Sequence, residues 1–98
     1  MKQYFLEKIS GINYRMATHE GDANRRLASE SRKILLLPVN ILPPDYETKL
    51  LELKTLITTT IKEMHMEGMT PFKIKHIRNK TAVKYIKMLI EMENQMKE

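Results

Sequence analysis

Residues 69–88 form a cationic window in which six basic side chains occur without a single acidic residue. These are Lys73, Lys75, Arg78, Lys80, Lys84 and Lys87. The other 78 residues carry eleven basic against twelve acidic side chains, so the whole formal surplus of +5 lies in the window. Concentrated positive charge attracts phosphate far more strongly than the same charge scattered over a surface. The window therefore predicts a surface that binds nucleic acid.

The window also contains the start signals of two helices joined by a turn. Thr70 before Pro71 predicts the start of a short helix over residues 71–78, and Thr81 is a second N-cap for a last helix over residues 82–95. A short helix, a turn and a longer cationic helix have the outline of a helix-turn-helix, whose second helix enters the major groove of DNA. The turn lacks glycine and is about one residue shorter than the turn of a helix-turn-helix. The chain therefore resembles this motif only in the order of its elements, and the resemblance indicates no family.

These two helices define the predicted nucleic-acid-binding residues. They are Lys73, Lys75, His76, Arg78, Lys80, Thr81, Lys84 and Lys87. The cations would contact phosphates, and Thr81 and Lys84 would lie nearest to base edges. Lysine outnumbers arginine five to one here, and an ammonium group attracts phosphate without the forked geometry by which a guanidinium reads a base, so we expect weak sequence specificity. The alternative without a binding function is that these cations form the solvent-exposed face of two surface helices. Such a face normally contains both positive and negative side chains.

An apolar edge on the predicted last helix supports a different function. It comprises Tyr85, Met88, Met92 and Met96, at spacings of three and four residues. Such an edge is either part of the core or an adaptable surface for another helix. In the second case the chain is a helical protein–protein interaction module, an inhibitor or adaptor, and its basic face docks an acidic protein partner. The sequence leaves DNA and a protein partner open, and the thin core of a small domain favours a homodimer.

The residue types do not favour catalysis or metal binding. The chain has no cysteine, three separated glycines, and histidines at 19, 65 and 76 without a metal-ligand spacing. Thiolate sites, phosphate-cradling loops and zinc sites are therefore not expected. We predict a protein that is not an enzyme, holds no metal and needs no cofactor. His19, Glu20 and Asp22 form a polar cluster that a capping network explains.

The spacing of apolar residues predicts an all-α, compact four- to five-helix domain that ends in the helix-turn-helix-like pair. Within a single domain over residues 1–98, the predicted segments are N-terminal helices in 1–37, a packed Pro-rich connector over 38–44, a central helix over 45–67 and the basic helix pair over 70–97. Gly11 leaves open whether one or two helices precede Asp22, which is a good N-cap for the next helix.

Two helices carry predicted core stripes. On the central helix these residues are Tyr46, Leu50, Leu53, Ile57, Thr60 and Met64, with Leu51, Leu56 and Ile61 widening the stripe. On the last helix they are Val83, Ile86, Leu89 and Ile90. The longest apolar run, residues 34–42, is cut by Pro38 and Asn40 and is too short to span a bilayer. The N-terminal residues lack the pattern of a signal peptide. We therefore expect no membrane association and a cytoplasmic location.

Overall fold

The computed structural model describes residues 1–66 and 73–98, except for the side chains of His65 and Met66. The described residues form five helices and no strand: α1 (Lys2–Thr18), α2 (Ala23–Ser29), α3 (Ser31–Leu35), α4 (Pro44–Met66) and α5 (Asn79–Lys97). The predicted all-α class is confirmed. None of the helices in the described ranges is long and apolar enough to cross a membrane.

Gly11 lies in the middle of α1 without interrupting it. The helix buries one continuous face made of Phe5, Ile9, Ile12 and Met16. Glycine in a helix interior costs about 1 kcal/mol, whereas burying one large aliphatic or aromatic side chain contributes about 1.5 to 3 kcal/mol. Packing of this face therefore outweighs the glycine, and the chain before Asp22 forms one helix.

A break at Glu30 divides the second predicted helix into α2 and α3. The backbone there has φ −104° and ψ 11°, and the buried carboxylate accepts hydrogen bonds from Nε and Nη2 of Arg15, each at 2.9 Å. A buried carboxylate is tolerated when it is paired, so this ion pair fixes the break against α1. The prediction of Asp22 as the N-cap of α2 is confirmed, because its Oδ1 accepts from the backbone N–H of Arg25 at 2.9 Å.

The Pro-rich connector between α3 and α4 packs against the core. Its aliphatic side chains, Val39, Ile41 and Leu42, are buried or half-buried there. Lys54 of α4 donates to the backbone carbonyl oxygens of Leu35, at 3.2 Å, and of Leu37. Leu35 is the last residue of α3, and its carbonyl oxygen lies at the partially negative end of the helix, which favours a cation. Burial lowers the pKa of Lys54.

Helix α5 takes the central position that the sequence predicts for α4. Among the described residues it packs most extensively against α1 and α2 and also contacts α4. The predicted inner face of α4 is confirmed at Leu50, Leu53, Ile57, Thr60 and Met64, all of which are buried. Of the residues predicted to widen this stripe, Leu56 and Ile61 are half-buried against the core, whereas Leu51 is exposed and the prediction is wrong there. The apolar face of α4 is therefore narrower than predicted, and the helix covers one side of the core.

The core face of α5 differs from the prediction. Its buried residues are Ala82, Met88, Leu89 and Met92, whereas Val83 and Ile90 are exposed. Two apolar stripes flank Leu89 on this helix, and periodicity alone does not predict which of them is buried in the core. The methionine stripe fills the core, where unbranched side chains adapt to irregular gaps between helices.

A polar contact at the seam of α1 and α5 surrounds Glu93. Asn13 Nδ2 donates to Glu93 Oε1 at 2.9 Å and to the carbonyl oxygen of Leu89 at 3.1 Å, and Lys97 Nζ lies 2.9 Å from Glu93 Oε2. Burial alone would raise the pKa of Glu93, but the hydrogen bonds from Asn13 and Lys97, together with the lysine charge, hold this pKa below its usual value.

We expect Glu93→Gln to lower the free energy of unfolding by about 1 kcal/mol at neutral pH, because the amide loses the charge-assisted contacts. A carboxyl group with a lowered pKa in the folded state stabilises the fold above its unfolded-state pKa, about 4.3. That contribution is lost as the pH falls through the lower folded-state pKa. Urea unfolding should therefore show a lower free energy of unfolding for Glu93→Gln than for the native chain at about pH 7, and this difference should become smaller towards about pH 3.

The control is Glu91→Gln, since Glu91 is an exposed carboxylate on the same helix. It should change stability little at either pH. A loss in the Glu93 variant that is independent of pH would contradict the electrostatic origin of the effect.

Candidate nucleic-acid interface

Lys80, Lys84 and Lys87 are exposed on one side of α5. At about 100° per residue, the three positions fall within an arc of about 60°. We call these three residues the lysine face. The next charged residue on the same side is Glu91, so the lysine face occupies the N-terminal half of the helix.

Residues 73–78, which lead into α5, are not helical, and within them Lys75 and His76 form a turn. The short helix predicted over residues 71–78 is therefore wrong over this part. Side chains from α2 and α4 occupy the backbone groups that a helix would use, and His76 has a φ of 73°, in the left-handed region that a right-handed helix excludes. Residues 70–72, with the predicted cap, lie outside the described residues. The helix-turn-helix-like pair as a whole stays a prediction.

Asn24 of α2 anchors this segment, and it is only 1% exposed. Its Oδ1 accepts from the backbone N–H of Ile74 at 2.7 Å, and its Nδ2 donates to the carbonyl oxygens of Ile74 at 3.0 Å and Ile77 at 3.4 Å. Its own backbone N–H donates to Oδ1 of Asn79, the first residue of α5, at 3.0 Å. One amide side chain therefore pairs three backbone groups of the segment before α5.

Thr60 of α4 holds the same segment from another side. Its buried hydroxyl accepts from the backbone N–H of Lys75 at 2.9 Å. The Lys75 ammonium lies 3.7 Å from Glu63 Oε2, and His76 Nε2 lies 3.3 Å from Glu63 Oε1. The structure thus places two of the predicted site residues, Lys75 and His76, beside a carboxylate of α4, which offsets the charge of Lys75.

The other two flanking cations, Lys73 and Arg78, are exposed. Helix α5 begins at Asn79, three residues earlier than predicted, with Arg78 at the N-cap position. Thr81, predicted as the cap and as a base contact, is instead half-buried within the first turn. It lies about 60° around the helix from Lys84, beyond the edge of the lysine face. Within the described residues no side chain caps α5 and its first turn has no acid. The Asp22 carboxylate, which caps α2, also accepts a hydrogen bond from the side chain of Asn79, the first residue of α5.

Asp22, at the start of α2, lies near cations of both this segment and α2. The hydrogen bond from the backbone of Arg25 lowers the pKa of Asp22, with smaller contributions from Asn79 and from the charges of Arg25 and Lys73. Lys73 and Arg25 therefore both lie near this carboxylate. No local signal in the sequence connects Arg25 to the cationic window, because the two lie on segments that only the fold brings together.

The predicted partner or dimer interface lies on the inner side of α5. It consists of Tyr85, Met88, Met92 and Met96, of which Met88 and Met92 are buried and the other two are half-buried against the core. Burial raises the pKa of Tyr85. The methionine stripe therefore has a structural role in this conformation, and Met88 and Met92 are covered by this chain's own helices.

The polar cluster after α1 is a loop and capping network. His19 Nδ1 accepts from the backbone N–H of Gly21 at 2.9 Å, and Asp22 caps α2. In the part of the chain that the structure describes, no three histidine or acidic side chains come together in a way that could hold a metal ion.

No protein-family model, curated protein or solved structure matches this chain. The functional argument therefore depends on the fold and on the geometry of the site.

We expect Asn24→Ala to lower the free energy of unfolding by about 2 to 4 kcal/mol, because it leaves buried backbone groups of Ile74 without partners. Urea unfolding measures the loss, and hydrogen exchange at Ile74 should accelerate more than exchange in α1. The control is Asn94→Ala, an exposed asparagine on α5. Equal losses in the two variants would show that the segment does not depend on Asn24.

Proposed function

We propose that this chain is a small, non-enzymatic DNA-binding protein that contacts phosphates through α5 and the cations leading into it. The observation that carries the proposal is the lysine face, three exposed ammonium groups within one arc of a helix. Exposed Lys73 and Arg78 precede the helix. Arg78 extends the cationic surface along the chain, whereas Asp22 near Lys73 offsets part of the charge of that lysine. An α-helix fits the width of the major groove, which allows such a face to lie against phosphates on its rims.

Charge separation along the chain supports phosphate as the ligand. The sequence from Met69 to Met88 has no acid, and Glu91 lies beyond the lysine face towards the C-terminal end of α5. The partial positive charge at the start of α5 has the same sign as the lysines. Each ammonium placed on a phosphate releases bound counterions, which supplies affinity independent of base sequence.

The expected binding mode is backbone contact with weak sequence preference. Of the two side chains predicted nearest to bases, Lys84 is on the lysine face and Thr81 is outside it. Lys75 and His76, beside Glu63, are expected to contribute less than the lysine face. Phosphate contacts position a protein on DNA, whereas base contacts specify the sequence. The proposed role is therefore a low-specificity binder or an accessory regulator, acting in the cytoplasm without a cofactor.

Self-association is a separate prediction within this proposal. A homodimer would present two lysine faces to one duplex and raise the apparent affinity through effective concentration. Multi-angle light scattering, with and without duplex DNA, measures the oligomeric state of the chain directly.

The test is duplex DNA binding across a salt series, for the native chain and for the triple variant Lys80→Glu, Lys84→Glu, Lys87→Glu. Counterion release predicts that affinity falls steeply with salt, and that the variant binds more weakly with a slope shallower by about two to three units of log K per log salt. Fluorescence anisotropy of a labelled duplex measures both quantities.

The control changes three exposed lysines elsewhere, Lys2→Glu, Lys49→Glu and Lys62→Glu. Both variants change the net charge equally, so only the position of the charge differs. The control should keep more of the native affinity and slope than the lysine-face variant. If the native chain does not bind at low salt, or if both variants lose affinity equally, the proposed interface is wrong.

A further inference from the structure

A shallow groove lies between the start of α2 and the outer side of α5. Its volume is about 280 Å³, and its lining includes Ala23, Arg26, Val83, Ile86 and Lys87. This volume is slightly below the range for small-molecule pockets, about 300 to 1,000 Å³. The groove is therefore better suited to side chains of a macromolecule than to an enclosed small ligand.

An exposed apolar residue beyond the groove, Ile90, lies on the same side of α5 as the groove residue Val83. Val83 is 39% exposed and Ile90 is 44% exposed, with half-buried Ile86 between them. Val83 and Ile90 are seven residues apart, which places them on the same side of the helix and about 10 Å apart along its axis. Amphipathic helices present apolar anchors at this two-turn spacing, so a helix lying along α5 would cover both residues.

The charged residues at the groove favour a negatively charged binding partner. Arg26 is held in place because its Nε donates to the carbonyl oxygen of Gly21 at 2.7 Å, and Lys87 is exposed across the groove. The acid in the lining, Asp22, is engaged in capping α2. An apolar strip with cations at its margins complements a helix that has apolar anchors on one side and carboxylates beside them.

We propose that this groove docks an acidic amphipathic helix of a partner protein, anchored on Val83, Ile86 and Ile90 and paired with Arg26 and Lys87. This surface is distinct from most of the DNA contact, because Lys80 and Lys84 lie about 60° to 100° around the helix from Val83. The inference is therefore independent of DNA binding, and the two share Lys87 at their common edge.

The probe is a synthetic amphipathic peptide with leucines at helical spacing and glutamates on the flanks, labelled for fluorescence anisotropy. A matched peptide carries the same leucines with lysines in place of the glutamates. The native chain should bind the acidic peptide saturably and the basic peptide at least about tenfold more weakly. Amide NMR shifts on adding the acidic peptide should be concentrated in residues 21–26 and 83–90.

Two variants separate the apolar and charged parts of the site. The double variant Val83→Ser, Ile90→Ser should lose at least about tenfold in affinity for the acidic peptide, since it removes both anchors. Its control is Leu51→Ser on α4, which removes an aliphatic side chain that is 45% exposed and lies outside the groove. Lys87→Gln should weaken acidic-peptide binding and its salt dependence. The serine double variant should keep DNA binding, whereas the Lys80→Glu, Lys84→Glu pair should affect DNA more than the peptide.

Three results would overturn the proposal. The first is no saturable binding of the acidic peptide up to about 1 mM. The second is binding that the serine double variant leaves unchanged, or NMR shifts that fall outside the groove. The third is a native chain that is dimeric by light scattering and becomes monomeric in the serine double variant, because a second copy would then occupy the strip. None of these results bears on the lysine face, so failure here is distinguishable from failure of DNA binding.

Discussion

The hydrogen bonds of Asn24 are the constraint on which the candidate sites depend. A buried amide on α2 pairs with backbone groups of Ile74 and Ile77, and its own backbone pairs with Asn79. Each contact joins residues at least fifty positions apart in the chain. Buried backbone groups without partners are costly, so these bonds specify where the segment lies and where α5 begins.

The direction of each cation follows from that constraint. Because α5 starts at Asn79, Lys80, Lys84 and Lys87 share one side of the helix. Because residues 73–78 are held between α2 and α4, Lys75 and His76 lie against Glu63. A run of charge that is continuous in sequence is thereby divided between an exposed face and a contact within the fold.

Periodicity predicts much of this fold because most helices here are amphipathic and α4 has one dominant stripe. The face of α4 and the cap at Asp22 follow from local spacing and residue type. The prediction of a short helix is wrong over residues 73–78, because the local helix signals compete with hydrogen bonds from Asn24 and Thr60, which form only after folding. Similarly, α5 has two apolar stripes of similar strength, and the neighbouring helices decide that the methionines are buried and that Val83 and Ile90 face solvent.

The two proposed surfaces on α5 meet at Lys87, and this arrangement couples them energetically. A carboxylate paired with Lys87 in the groove would remove one cation from the phosphate-binding face, and a phosphate on Lys87 would remove one cation from the margin of the groove. Linkage requires that each ligand weaken the other by the same factor. Lys80 and Lys84 lie outside the groove, and Val83 and Ile90 lie outside the lysine face. Each ligand therefore weakens the other by no more than the contribution of Lys87 to its binding free energy. Under these proposals both ligands bind α5 together, each with reduced affinity.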